Sequence, residues 1–408
     1  MRKNGVNRKL YPIEGGLCAP GGFIIGGVSC GIRGNHKNDL ALLLSEKKCK
    51  TACVYSQLPN VGAPIGITKK HLYNGQAQAV LVNGGVANVF MPEGEEIADG
   101  ACRLVERYFN IAYDDVVIAS TGEIGKPLRL DSFETGLISL RTRMGNHSSC
   151  NLAAAEAITS EGEEGKVNAY SFFIGDYLCK IGVLYKGNMH VCPNMATTLI
   201  FLTTDVNISL EMLSRALSAE IRETVNMLNV DGAASPNDMA CIMANGKAGN
   251  SLIDRVDSEY YKFTMALRAV LREVCLSIVK GAKGRRMQCK AIGAKSKQLA
   301  RAAAKSLVGS SVVKNLFLDG EIDLEGITYL LFGIEGLTDF SCLQIFLEGN
   351  GEELVLYEDE MRIPCNRALV EEFLNAEDVT LCVRLGNGNY DALAYGSAVA
   401  ETSSKKIL

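Results

Sequence analysis

The chain of 408 residues is poor in the residue patterns that build metal sites. It has no tryptophan and only four histidines, which lie too far apart in the sequence to favour a zinc site: His36, His71, His147 and His190. Its 14 cysteines include no Cys-x-x-Cys pair and are scattered through apolar segments. They are typical of small buried side chains in a reducing compartment, and we expect no metal.

Long basic and long apolar runs are also missing. The most basic stretch, 280–286, is short, and a net charge of -4 with a pI near 5.8 argues against a nucleic-acid surface. The apolar runs at 197–202 and 329–334 are far shorter than a membrane span, and the N-terminus lacks the apolar region of a signal peptide. The sequence predicts a cytoplasmic protein with no nucleic-acid or membrane partner.

The elements that can be predicted alternate between helix and strand. Helices are indicated at 95–108, 150–160, 209–228, 257–280 and 297–305, strands at 115–120 and 239–243, and a hairpin at 170–185 that turns near Gly175-Asp176. The remainder should alternate strands with one helix at 368–374. This order predicts layered α/β architecture, and the length predicts two or three domains.

One segment carries a chemical signal. Thr197 follows Ala196 and the turn-forming pair Pro193-Asn194, and it opens a strand-like run. A threonine hydroxyl needs a base, and the threonine's own α-amine can serve once the preceding peptide bond is gone. The small Ala196 and the turn would let Thr197 attack the carbonyl before it. The alternative is a β-branched residue at the start of a buried strand.

Motifs elsewhere share an order and spacing with a known family. The chain resembles the bifunctional ornithine acetyltransferase / N-acetylglutamate synthase family of arginine biosynthesis over roughly residues 15 to 335. The motifs are Ser120-Thr121-Gly122 with Ile124-Gly125, Lys186-Gly187, Pro193–Thr197, Val230-Asp231-Gly232 with Ser235 and Asn237-Asp238, and further fragments such as Val82-Asn83 with Gly85 and Ala244-Asn245-Gly246.

The resemblance implies a two-lobed α/β fold that cleaves itself between Ala196 and Thr197. Residues 1–196 would form an α fragment and 197–408 a β fragment that starts with the nucleophile, and two of each would associate. Thr197 would take the acetyl group from N-acetylornithine, release ornithine and pass the acetyl group to glutamate. No coenzyme is needed for this exchange, although acetyl-coenzyme A is a possible second donor.

The resemblance also assigns roles to four further residues. The Thr121 hydroxyl and the Gly122 amide match the family's oxyanion pair, Lys186 matches its substrate-binding lysine, and Glu321 matches its active-site glutamate if one insertion is allowed. Each has a structural alternative. Thr121-Gly122 would then be a simple turn, Lys186 a solvated lysine in a turn, and Glu321 a surface acid in a loop.

The chain departs from the family pattern at several positions. These are Glu123 beside the oxyanion pair, Met189 and His190 after the lysine, Ala233 and Ala234 after Asp231-Gly232, the 323–327 segment, and a C-terminus without the family's terminal Asn and Ser/Thr. A glutamate beside an oxyanion site would oppose negative charge unless it points away or is paired. His190 is either a new contact in a remodelled pocket or a surface residue.

These departures leave three hypotheses about activity. The first is the family reaction, acetyl transfer from N-acetylornithine to glutamate. The second is a self-processing amidase, aminopeptidase or acyltransferase that acts on another amide. The third is a homologue without catalysis that serves as a binding or assembly subunit.

Overall fold

The structure is a computed structural model, and it describes residues 10–159, 165–187, 198–229, 235–281, 284–376 and 379–398. Within these ranges the helices are α1 Ala63–His71, α2 Gly94–Phe109, α3 Leu130–Leu140, α4 Ser148–Ile158, α5 Leu210–Glu223, α6 Ser258–Gly281, α7 Lys297–Gly309, α8 Ser311–Asp319, α9 Leu324–Phe332 and α10 Arg367–Leu374. No helix in this part of the chain is long and apolar enough to cross a membrane.

Together with these helices, the strands form a mixed α/β fold, and the fold class predicted from the sequence is therefore confirmed. They are β1 Tyr11–Ile13, β2 Phe23–Val28, β3 Leu40–Tyr55, β4 Gln76–Asn83, β5 Val116–Ser120, β6 Lys166–Ile174, β7 Tyr177–Lys186, β8 Leu199–Thr204, β9 Met239–Ala244, β10 Arg285–Ala294, β11 Gln344–Gly349, β12 Glu352–Glu358, β13 Met361–Arg362, β14 Thr380–Arg384 and β15 Tyr390–Ala398.

The chain divides into two compact units, in line with the expectation of more than one domain. Of the described residues, the first unit holds those up to 187, 198–221 and 235–270, and the second holds 222–229 and those from 271 onward. The predicted fragment boundary at 196/197 is a different division, and it stays a prediction.

The described part of the first unit contains a nine-stranded sheet in the order β1-β6-β7-β8-β9-β3-β4-β5, with β2 also paired to β3. Successive residues of its central strands are buried on opposite faces. Leu43 and Val82 belong to an apolar cluster with α4, whereas Leu42 and Leu81 belong to one with α2 and α3. Such two-sided burial explains why these strands are continuously apolar at 40–44 and 79–82.

The second unit is built on a second sheet. Its described strands follow the order β13-β12-β11-β14-β10-β15, and its apolar core takes side chains from α7, α8, α9 and α10. The prediction of a single helix after residue 305 is wrong, because 311–319 and 324–332 are helical and the apolar run at 329–334 lies largely in α9. The helix predicted at 209–228 ends at Glu223.

Candidate active site

Strand β5 ends at a turn whose backbone is fixed by the neighbouring loop. The N–H of Thr121 donates to the carbonyl of Asn83 at 2.9 Å, and the N–H of Glu123 donates to the carbonyl of Gly85 at 3.0 Å. The Asn83 side chain reinforces this pairing, since it accepts from the Ser120 hydroxyl at 2.6 Å and donates to the Val86 carbonyl at 2.8 Å. The turn at 121–123 is therefore held by the 83–86 loop.

Gly122 must be a glycine in this arrangement. Its φ of +140° is one that other residues rarely adopt, and a Cβ atom built on it would lie 2.1 Å from the carbonyl carbon of Gly85. Any side chain would therefore push the turn away from the 83–86 loop.

Two donors of this turn are left for a ligand. The Gly122 amide lies between two amides that are already engaged, and within the described residues it donates to no acceptor. The Thr121 side chain is buried, with 1% of its surface exposed, and its oxygen accepts a hydrogen bond from Lys186. Its own hydroxyl hydrogen has no acceptor in that same part of the chain. Adjacent donors without acceptors are what an oxyanion site requires.

Lys186 completes the cluster from the end of strand β7. It is the last residue of β7, and its Nζ lies 2.7 Å from Thr121 Oγ1. Only 2% of its surface is exposed, so the alternative of a solvated lysine in a turn is wrong. The structure thus brings together three residues that the resemblance selects from segments 65 positions apart: Thr121, Gly122 and Lys186.

The charge on Glu123 is paired with a nearby lysine. Its carboxylate lies 2.6 Å from the ammonium group of Lys126, and both side chains are about half exposed. Glu123 is therefore paired, and pairing is one of the two conditions under which a glutamate at this position need not oppose an oxyanion.

Sequence reasoning missed the residues that support this site. Asn237 is buried and donates to the carbonyl of Ala87 at 2.6 Å, next to the 83–86 loop. Asp238 accepts from the N–H of Thr198 at 2.7 Å and from the N–H of Ser235 at 3.0 Å. Asn83, Asn237 and Asp238 all belong to the motifs on which the resemblance rests. Their place in those motifs was the signal that could have identified them as supporting residues.

Other predicted site residues are not joined to the cluster by any described contact. Thr197, Ala196, Met189, His190, Ala233 and Ala234 lie outside the described residues. Glu321 belongs to the second unit and is exposed in the loop between α8 and α9, so its role stays a prediction. Among the described residues, no three His, Cys, Asp or Glu side chains are grouped to hold a metal ion.

Comparison with known proteins decides the family. Residues 24–402 match the ArgJ family over most of the chain. The chain belongs to the ArgJ family. The match extends beyond the 15–335 range of the resemblance into the C-terminal segment. The family assignment thus confirms the resemblance to the ornithine acetyltransferase group.

Individual ArgJ relatives cover nearly the whole chain. The arginine biosynthesis bifunctional protein ArgJ 1 of Clostridium acetobutylicum is 31% identical over 91% of both chains. Its counterpart from Oceanobacillus iheyensis is 32% identical over 94% of this chain and 93% of the relative.

Solved structures include an ArgJ protein from Bacillus halodurans, which is 26% identical, has a TM-score of 0.42 and covers 46% of this chain and 98% of that one. They also include the Mycobacterium tuberculosis ornithine acetyltransferase complexed with ornithine, which is 26% identical and has a TM-score of 0.38. That match covers 40% of this chain and 88% of the other.

Proposed function

We propose that this chain is a glutamate N-acetyltransferase of arginine biosynthesis. It moves an acetyl group from N-acetylornithine to glutamate through an acetyl-Thr197 intermediate. Family membership sets the reaction, since the relatives are bifunctional proteins of arginine biosynthesis. The observation that carries the proposal is the pair of adjacent donors without acceptors at Thr121 and Gly122.

The chemistry follows from an attack on an amide carbonyl. The Thr197 hydroxyl adds to the acetyl carbon while the α-amine of Thr197 takes its proton. The carbonyl oxygen becomes an oxyanion, which the Thr121 hydroxyl and the Gly122 amide would stabilise by on the order of 3 kcal/mol each. The amine then returns the proton to the leaving nitrogen of ornithine. Glutamate's amine attacks the acetyl ester in the reverse sense, which restores the Thr197 hydroxyl.

This mechanism requires Thr197 to be an N-terminal residue. Cleavage between Ala196 and Thr197 is therefore part of the proposal, as is association of the two kinds of fragment. The resemblance assigns Glu321 and Lys186 to the amino-acid part of the substrate. We also propose that the exchange needs no coenzyme, with acetyl-coenzyme A as a second donor. A cytoplasmic location stays a prediction.

Intact-mass measurement of the purified protein tests the processing step. We expect two fragments, the second starting at Thr197, and a single full-length species for Thr197→Ala. The matched control is Thr135→Ala, because Thr135 is an exposed threonine on α3. A wild-type protein that stays full-length would exclude the acetyl-threonine mechanism and favour the subunit without catalysis.

An acetyl-transfer assay on the processed protein then tests the substrates. We expect N-acetylglutamate from N-acetylornithine plus glutamate without any added coenzyme. Parallel reactions contain acetyl-coenzyme A plus glutamate, or other N-acyl amino acids. Cleavage of another amide, with no N-acetylglutamate from N-acetylornithine, would replace the proposed reaction with the second hypothesis.

A further inference from the structure

We propose that Lys186 acts through Thr121, as the positioning residue of the oxyanion site. In this role its ammonium group occupies a lone pair of the Thr121 oxygen, so that the hydroxyl hydrogen is presented to the oxyanion. This inference rests on the proposed function, and it differs from the carboxylate-binding role that the family resemblance gives the lysine.

The direction of the hydrogen bond between Lys186 and Thr121 is the first observation that supports this role. A protonated lysine has three donors and no acceptor, whereas a threonine hydroxyl has one donor and two lone pairs. At 2.7 Å the Lys186 Nζ therefore donates to Thr121 Oγ1, and the Thr121 hydrogen must point elsewhere. Since no acceptor for that hydrogen lies within the described residues, the hydroxyl retains its donor for a ligand.

Burial carries the second step. Both side chains are almost fully shielded, and a charge in such a place is costly unless a partner compensates it. Electrostatic interactions are strong in the same surroundings, because little water screens them. A negative charge that forms next to Thr121 during the reaction would therefore be stabilised strongly by the hydroxyl that the ammonium group orients and polarises.

The strand register carries the third step. Lys186 pairs with Leu199 across β7 and β8, and Leu199 stands two positions after Thr197 in the sequence. The backbone of Lys186 is thus paired with the strand that follows the proposed nucleophile in the sequence.

The two roles of Lys186 make different kinetic predictions. A substrate carboxylate carries its charge before and during the reaction, so that loss of its partner raises KM. An oxyanion exists only near the transition state, so that loss of its stabilisation lowers kcat. In addition, a lysine that acts through Thr121 loses its effect when the Thr121 hydroxyl is removed.

A double-mutant cycle tests this coupling with Lys186→Met, Thr121→Val and the double variant. Each protein is incubated until intact mass shows complete processing, and thermal unfolding verifies that it is folded. We expect each single substitution to lower kcat by about 100-fold with little change in KM, and the double variant to be no worse than the poorer single one.

Thr121→Ser keeps the hydroxyl, so in that background Lys186→Met should retain its full penalty. Lys70→Met, an exposed lysine paired with Glu95, is the matched control and should leave kcat unchanged.

Several outcomes would overturn the inference. One is that the two penalties multiply in the double variant, and another is that Lys186→Met raises KM alone. If the lysine variant does not fold, Thr121→Val alone still decides, because an unchanged kcat there removes the hydroxyl from the mechanism. A wild-type protein that neither processes nor transfers acetyl groups refutes the proposed function itself. Multiplying penalties in an active enzyme refute only the role of Lys186.

Discussion

The carboxylate of Asp238 shows how a single residue can fix the start of a strand. It accepts from the backbone N–H groups of Thr198 and Ser235, and the N–H of Met239 donates to the carbonyl of Thr198 at 3.1 Å. Asp238 therefore fixes the backbone at Thr198, the residue that follows the proposed nucleophile in the sequence.

Asp238 should also leave a signature in the pH dependence of stability. Burial raises its pKa from the usual 3.8 to about 6, against the lowering effect of its two backbone hydrogen bonds. Because the folded pKa is higher than the unfolded one, the folded state takes up this proton first, and stability from this residue rises as the pH falls through 6. Relative to Asp238→Asn, which does not titrate, the wild type should gain about 1 kcal/mol between pH 7.5 and pH 5.

Denaturant unfolding of both proteins at the two pH values measures this difference. Using the difference between the proteins cancels the other groups that titrate in the same range. A stability difference that is flat, or that moves against the wild type as the pH falls, would show that the carboxylate is ionised at least as easily in the folded state as in the unfolded one.

The sequence indicated which residues form the site but not how they meet. Motif spacing selected Thr121, Gly122 and Lys186, and the structure places all three together. The contact between Lys186 and Thr121 could not be foreseen, because it depends on the packing of strands far apart in the sequence. The pairing of Glu123 with Lys126 is local, and an opposite charge three positions away was a readable signal.

At the scale of single elements, β3 is the longest of the described strands, and the sequence analysis does not predict it. Only 41–44 stands out in the sequence as a short apolar run, whereas the strand extends from Leu40 to Tyr55. The pairing with β4 shifts register between Leu44 and Cys49, and Glu46, Lys47 and Lys48 are exposed there. A charged, irregular segment inside a strand breaks the alternation on which sequence prediction depends.

Four helices, α1, α3, α8 and α9, were not predicted from the sequence, and for two of them low helix propensity is a reason. Helix α1 contains Pro64, Gly66 and β-branched residues, and α8 has Val312-Val313 directly after its first residue, so both have low intrinsic helix propensity. Their apolar side chains are buried against the sheets, as for Ile65 and Val313. Tertiary packing stabilises these helices where propensity does not.

Helix α7 has a cap whose contribution can be measured. Ser296 has an extended backbone, and its hydroxyl accepts from the N–H of Leu299 at 3.2 Å. Replacing it with alanine leaves that N–H without its partner and should lower the free energy of unfolding by about 1 kcal/mol. Urea unfolding of the full chain tests this, with Ser296→Asp as the control that restores a capping oxygen. Equal stability of the serine and alanine proteins would show that water satisfies this helix end equally well.

At the scale of the whole molecule, the proposed cut would divide one sheet between two fragments. In the sequence the cut falls between β7 and β8, and these two strands are paired from Ile181↔Thr204 to Lys186↔Leu199. Of the described strands of this sheet, β1 to β7 precede the cut, and only β8 and β9 follow it. Those two lie between β7 and β3, so strands of the second fragment are inserted among strands of the first. Sequence order alone could not reveal this insertion, since β9 pairs with a strand nearly 200 positions earlier.

We therefore expect the two fragments to stay together after processing. Separating them would break the backbone hydrogen bonds of β7 with β8 and of β3 with β9, and it would expose Phe201, Cys241 and other side chains of the apolar core. Processed protein should elute from a native size-exclusion column as one species, at the volume of the uncut Thr197→Ala protein and independently of dilution. The same peak should give two masses under denaturing conditions. Elution of separate fragments from the native column would mean that cleavage opens the sheet, and that β8 and β9 are held in place only while the chain is continuous.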